Sequence, residues 1–144
     1  MIYFDTSYII KCYLNEVGSA PVRALAESSN GMGCSVHGRV EFWAAVKRNV
    51  REGKITADEA AATFARFQED EGEGVWTWFP VETKGVHTAC DRIAKAADTM
   101  FLRAADALHL ACALEQGFTE IFTHDRHMLA AAVAFGMAAR NVIV

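Results

Sequence analysis

Four carboxylates stand where apolar runs of this chain give way to helical ones. Asp5 follows the run Ile2-Tyr3-Phe4 directly, and Asp125 follows Glu120-Ile121-Phe122 after Thr123 and His124. Glu41 sits about one helical turn past Val36. Asp106 lies in the string Leu102-Arg103-Ala104-Ala105-Asp106-Ala107-Leu108-His109-Leu110-Ala111, among mostly apolar neighbours. Each acid alone has an everyday use. Asp5 and Asp125 fit helix N-caps, Glu41 a solvated helix face, and Asp106 a helix N-terminus or a pair with Arg103. Gathered in one place, four hard oxygen donors would repel one another. A divalent cation compensates that repulsion, and an all-carboxylate set suits Mg²⁺ or Mn²⁺. Such an ion neutralises anionic substrates and activates water. Asp5 and Asp106 are the expected principal ligands, with Glu41 and Asp125 as further ligands or as groups that orient water. Thr6, Ser7 and Thr123 are placed to hold the acids by hydrogen bonds, or to serve only their local backbone.

His109 follows Asp106 by three residues on the same helical face. Its residue type allows it to orient the acid, but a histidine among Ala and Leu reads more simply as a core residue. His37, His87 and His127 show no ligand spacing and receive no role. Lys47, Arg48, Arg51 and Lys54 form a basic cluster, and Arg39, Arg103 and Arg126 lie close in sequence to the acids. These cations suit contact with a polyanion's phosphates, or a solvated helix face. Phe42, Trp43, Phe64 and Phe67 exceed what a short helical hairpin needs, and suit a partner's groove, a dimer contact or plain core.

The elements that must position these residues follow from pattern. Ile2–Phe4, Cys34–Val36, Val75–Phe79, Glu120–Phe122 and Asn141–Val144 read as short strands. Helices are expected over Ser7–Leu14, Pro21–Ser28, His37–Arg51, Thr56 to about Asp70, Thr83–Ala97, Arg103–Gln116 and Asp125 to about Gly136. Val36, Val40, Trp43, Val46 or Lys47, and Val50 fall at helical spacing and form the expected stripe of the third helix. Thr56 and Glu59 form a capping box, and Gly53 a helix stop. Strands alternating with helices imply βαβ units and a parallel sheet. In such a sheet, function gathers beyond the carboxyl ends of the strands, where all four acids are expected.

The bulk properties set outer bounds. The 144 residues suit one α/β domain spanning 1–144, and 52% hydrophobic content against 22% charged is a globular balance. The formal net charge of −4 argues against a protein that coats nucleic acid electrostatically. It does not exclude an enzyme that meets phosphates through bound cations. Cys12, Cys34, Cys90 and Cys112 form no C-x-x-C pair, so a cysteine zinc site is not expected and the thiols read as free. No basic leader precedes the first apolar run, and no apolar stretch reaches the roughly 20 residues of a membrane span. A cytoplasmic protein without a membrane partner is the expectation. Phosphotransfer through an aspartyl-phosphate on Asp5 would want a second acid two residues on, where Ser7 stands.

The strings Tyr3-Phe4-Asp5-Thr6-Ser7, Val40-Glu41, Ala105-Asp106-Ala107-Leu108-His109-Leu110-Ala111 and Phe122-Thr123-His124-Asp125 occur in this order. In them the chain resembles a PIN domain, and in particular the VapC-type ribonuclease toxins of toxin–antitoxin pairs, over essentially its whole length. His124 departs from the apolar or small residue common at that place. The resemblance implies a three-layer α/β/α sandwich with a central, mostly parallel sheet. It implies a Mg²⁺- or Mn²⁺-dependent endoribonuclease with the acids Asp5, Glu41, Asp106 and Asp125. Thr6, Ser7 and Thr123 would support them. The cations Arg39, Arg103, Arg126, Lys47, Arg48 and Arg51, read from their residue type and position, are the candidate RNA contacts. Cleavage by in-line attack of water would leave a 5′-phosphate and a 3′-hydroxyl. A homodimer and a cognate antitoxin protein would be the partners. The competing reading is a PIN-like module that binds RNA or protein without turnover.

Overall fold

Alternation along the strands decides the architecture of the computed structural model, which describes residues 1–144. Successive side chains of a strand point to opposite faces. In β1 (Ile2–Tyr3) and the residue after it, Tyr3 packs into one apolar cluster and Phe4 into another, both fully buried. In β4 (Glu120–Phe122), Ile121 and Phe122 divide the same way. The sheet therefore lies between two cores, each roofed by helices, which makes three layers.

The chain runs β1, α1 (Thr6–Tyr13), α2 (Ser19–Ser28), β2 (Met32–Ser35), α3 (His37–Arg51), α4 (Ala57–Gly72), β3 (Trp76–Phe79), α5 (Thr83–Lys95), α6 (Ala104–Glu115), β4, α7 (Arg126–Ala131) and β5 (Ala138–Arg140). All pairings are parallel: β1 with β2, β2 with β3, and β4 with β5. A single parallel bridge, Phe4 to Phe122, joins the two groups in the order 3-2-1-4-5. The chain first builds outward from β1 to β3, then returns to the other flank of β1 with β4. That reversal leaves a crevice beyond the carboxyl ends of β1 and β4.

Helices α1, α3 and α4 enclose the core that contains Phe4, Tyr8, Phe42 and Phe67. Helix α6, with its buried Ala107, Leu110 and Ala111, anchors the other. The hairpin of α3 and α4 has its expected punctuation. Gly53 turns the chain with φ 70°, and the Thr56 Oγ1 and Glu59 carboxylate cap α4 reciprocally.

Three expectations shift. The inward stripe of α3 is Gly38, Phe42, Ala45 and Val46, while Val40 is 72% exposed. Gly38 explains the rotation. A Cβ there would stand 2.6 Å from Cys34 Sγ, so only glycine lets the helix start sit this close to β2. Val36 belongs to the start of that helix rather than to β2, which pairs from Met32. The last strand is Ala138–Arg140, not Asn141–Val144. Its register against β4 follows from Gly136, which stops the preceding 3₁₀ turn at φ 66°. Beyond it, the Asn141 carboxamide oxygen accepts from Tyr8 Oη (3.0 Å) and from the Ile143 N–H (3.0 Å), and the strand ends.

Candidate active site

The crevice holds a cleft of about 550 Å³. Asp5, Glu41, Asp106 and Asp125 all line it, together with Thr6, Ser7 and His109. Lys47, Arg48 and Arg51 form its basic flank along the exposed side of α3, and Arg103 stands beside Asp106 and Asp125. Arg39 and Arg126 are not among the lining residues. Arg39 instead pairs with Glu71 and lies over the Trp78 ring, while Lys54 pairs with Glu52.

Asp5 caps α1 and is 3% exposed. Its Oδ1 accepts from Ser7 Oγ (2.6 Å) and the Tyr8 N–H (3.2 Å), and its Oδ2 accepts from Thr123 Oγ1. Ser7 Oγ also accepts from the His124 N–H (3.0 Å), and Thr123 Oγ1 from the Asp125 N–H (2.9 Å). The loops after β1 and β4 are thus tied across the crevice by hydroxyls. Burial raises the Asp5 carboxyl above its ordinary range, and the hydrogen bonds offset only part of the shift.

Asp106 and Asp125 share one cation. Arg103 donates from Nε to Asp106 Oδ2 (2.7 Å) and from its second nitrogen to Asp125 Oδ2. Asp125 meanwhile caps α7, its Oδ1 accepting from the His127 N–H (2.7 Å). Burial raises the Asp106 carboxyl despite Arg103. For Asp125, burial is outweighed by the Met128 N–H, Arg103 and the His127 N–H, and its carboxyl lies low. The everyday readings of capping and Arg103 pairing thus hold together with the cleft position.

Glu41 is held differently. Its Oε1 accepts from Thr6 Oγ1 (2.9 Å) and lies 2.6 Å from His109 Nε2. Behind it, the Ser35 N–H donates to Tyr3 Oη (3.0 Å), and Tyr3 Oη lies 3.0 Å from His109 Nδ1. With the Tyr3 proton donated to Nδ1, the Nε2 hydrogen faces Glu41 and every group in the chain has a partner. Burial pushes the Glu41 carboxyl up, but the His109 contact outweighs it and the net shift is downward.

Sequence reasoning passed over one neighbour. His37 Nε2 lies 3.5 Å from Glu41 Oε1, and the His37 and His109 rings are 4.1 Å apart. The signal was present, since His37 and Glu41 are four apart on one helix face. Burial, then His109, lowers His37 to about 4. His109 is 1% exposed, so it is a core residue as expected, yet one of its nitrogens reaches the cleft acid. His124 is exposed and does not line the cleft. The hairpin aromatics also divide. Phe42 and Phe67 are fully buried and stacked on each other, whereas the stacked Trp43 and Phe64 are half-buried.

The family model of the PIN domain matches residues 2–134, and the chain belongs to that family. None of the curated proteins compared matches the sequence. Among solved structures, it is similar to the VapC20 toxin of Mycobacterium tuberculosis, described as cleaving the sarcin–ricin loop. Identity is 19%, 91% of this chain and 95% of that chain are covered, and the TM-score is 0.70. FitAcB from Neisseria gonorrhoeae is 16% identical with 98% and 97% covered and a TM-score of 0.74. VapBC2 from Rickettsia felis, bound to a promoter DNA fragment, is 12% identical with 98% of each chain covered and a TM-score of 0.67. At such identities these likenesses establish the fold.

The donor set fits the divalent ion that the carboxylate pattern implies. Its ligand atoms are carboxylate oxygens, two of the acids are buried, and Arg103 is the one side-chain cation paired with any of the four.

Proposed function

We propose that this chain is a divalent-cation-dependent endoribonuclease, the toxin half of a toxin–antitoxin pair. The observation that carries this reading is the cleft itself. Four acids from the ends of β1 and β4 and from α3 and α6 face one volume, and the cations of α3 flank it. A ligand-binding scaffold has no need to concentrate four carboxylates around a single arginine in this way.

Asp5 and Asp106 would be the main ligands of Mg²⁺ or Mn²⁺, with Glu41 and Asp125 completing the set. The bound ion would neutralise charge on the scissile phosphate and acidify the attacking water. Lys47, Arg48 and Arg51 would hold the flanking phosphates and set the register of the strand without reading its bases. Glu41, fixed by Thr6 and His109, is positioned to orient water and to accept its proton. Ser7 and Thr123 keep Asp5 aimed at the cleft. Hydrolysis by water leaves a 5′-phosphate and a 3′-hydroxyl. The likeness to VapC20, FitAcB and VapBC2 supports an antitoxin partner, and a toxin that acts on cellular RNA would work in the cytoplasm. The half-buried Trp43–Phe64 face is a surface for that partner or for a second copy.

The test incubates the chain with a mixed RNA pool in Mg²⁺, Mn²⁺ or chelator and maps the cut ends. Cuts that need the metal, carry 5′-phosphates and vanish in D5N support the proposal. Binding without cleavage in every metal would replace it with a non-catalytic module. Sedimentation of the purified chain decides the dimer.

A further inference from the structure

His37, Glu41 and His109 present three metal-ligating atoms within 4.8 Å of one another. A tetrahedral ion with bonds of 2.0–2.1 Å needs donor separations of about 3.3 Å. The pairs His37–Glu41 and His109–Glu41 stand at 3.5 and 2.6 Å. We propose that these three side chains form a second cation site, for a borderline transition ion such as Zn²⁺, built on the glutamate that the carboxylate cleft also uses.

The groups behind the ligands support this. A metal-binding histidine is usually oriented by a partner on its other ring nitrogen. Both rings have one: Ser35 Oγ lies 2.7 Å from His37 Nδ1, and Tyr3 Oη 3.0 Å from His109 Nδ1. Binding then needs only a change of tautomer. The Nδ1 hydrogens donate to Ser35 Oγ and Tyr3 Oη, and the two Nε2 lone pairs turn to the ion. Tyr3 turns its own hydrogen away from the ring, towards the Cys112 thiol packed in the same cluster. No net proton leaves the rings. His37 Nε2 gives up its contact with the Ala105 carbonyl (3.2 Å). Thr6 Oγ1, 2.9 Å from Glu41 Oε1 and 3.3 Å from His109 Nε2, or a cleft water fills the fourth position.

The chemistry separates the two sites. Two imidazoles favour Zn²⁺, Ni²⁺ or Co²⁺ over Mg²⁺, and the carboxylates of Asp5 and Asp106 favour the reverse. Both claim Glu41. Zn²⁺ at the histidine site therefore takes an acid away from the cleft, which makes it an inhibitor of metal-dependent cleavage. The inhibition rests on the nuclease reading, but the binding does not.

The test titrates the purified chain with Zn²⁺ alone against a chromophoric chelator, in unmodified, H37Q and D106N forms. One ion per chain is expected, with affinity reduced at least about tenfold in H37Q and changed by less than about twofold in D106N. Equal affinity in H37Q, or a loss in D106N as large as in H37Q, would overturn the site. Co²⁺ gives a second readout that does not depend on activity. An intense visible band of tetrahedral type, lost in H37Q, supports the site, and a weak six-coordinate spectrum refutes it. Zn²⁺ binding through His37 in a chain that cuts no RNA in Mg²⁺ would leave this site standing and remove the nuclease reading. Cleavage without His37-dependent Zn²⁺ binding would do the opposite.

Discussion

The two halves of the acid ring are held by opposite means. Asp5 and Glu41 are fixed by neutral donors: Ser7, Thr123, Thr6 and the His109 ring. Asp106 and Asp125 are bridged by the single guanidinium of Arg103. Hydroxyls aim a carboxylate without cancelling its charge, whereas an arginine does both. An entering cation therefore meets uncompensated charge on the first half and must share, or displace, a resident cation on the second.

Asparagine at Asp5 or Asp106 keeps shape and removes charge, and should produce the largest loss. Several kcal/mol of phosphate and water activation disappear, about a 10³-fold fall in metal-dependent RNA cleavage. A folded D5N chain with full activity would dissolve the comparison altogether. His109→Ala attacks the neutral half from behind. It orphans Tyr3 Oη and opens a cavity, for an expected loss of about 2–4 kcal/mol in urea denaturation. Gly38→Ala pushes α3 off β2, since the new Cβ would meet Cys34 Sγ. We expect about 1–3 kcal/mol of destabilisation and a displaced Glu41, read as weaker Mg²⁺ binding.

The pH dependence of stability cuts across the halves, since each holds one raised and one lowered acid. His37 is lowered to about 4 in the folded chain against about 6.5 unfolded. Below 6.5 the unfolded chain binds the proton first, so stability is complete above that pH and falls as pH drops towards 4. Roughly 1–2 kcal/mol should be lost in this window, and H37Q should flatten it. Asp5 and Asp106 act with the other sign, because their raised carboxyls are relieved by acid. The smallest effect belongs to the charged half. Arg103 is 48% exposed in its side chain, so R103Q should cost less than about 1 kcal/mol of stability. It should nevertheless tighten Mg²⁺ binding several-fold in calorimetry, because the ion no longer competes with a guanidinium. Unchanged or weaker binding would mean that Arg103 does not compete with the ion.

Features that lie within a few residues were open to reading. The turn from Phe4 to Asp5, the capping box of Thr56 and Glu59, the Gly53 stop and the Asp125 cap all act over one turn of chain. The inward face of α3 was not, because a close approach at Gly38 overrode the valine stripe. The final strand was missed because Ala-Ala-Arg carries little β-propensity of its own and pairs where β4 offers partners.

By itself, the sequence determined the alternation of strands and helices and the delivery of acids to strand ends, since hydrophobic period and capping chemistry are local. Tertiary packing alone decided that His37 and His109, 72 residues apart in number, would face one glutamate. It also decided that Arg103 would bind two acids at once, and that Arg39 would turn to Glu71 instead of the cleft. Such choices depend on which side chains meet when helices settle on a sheet, and contacts across that distance are set by the shape of the whole core rather than by any short run of residues.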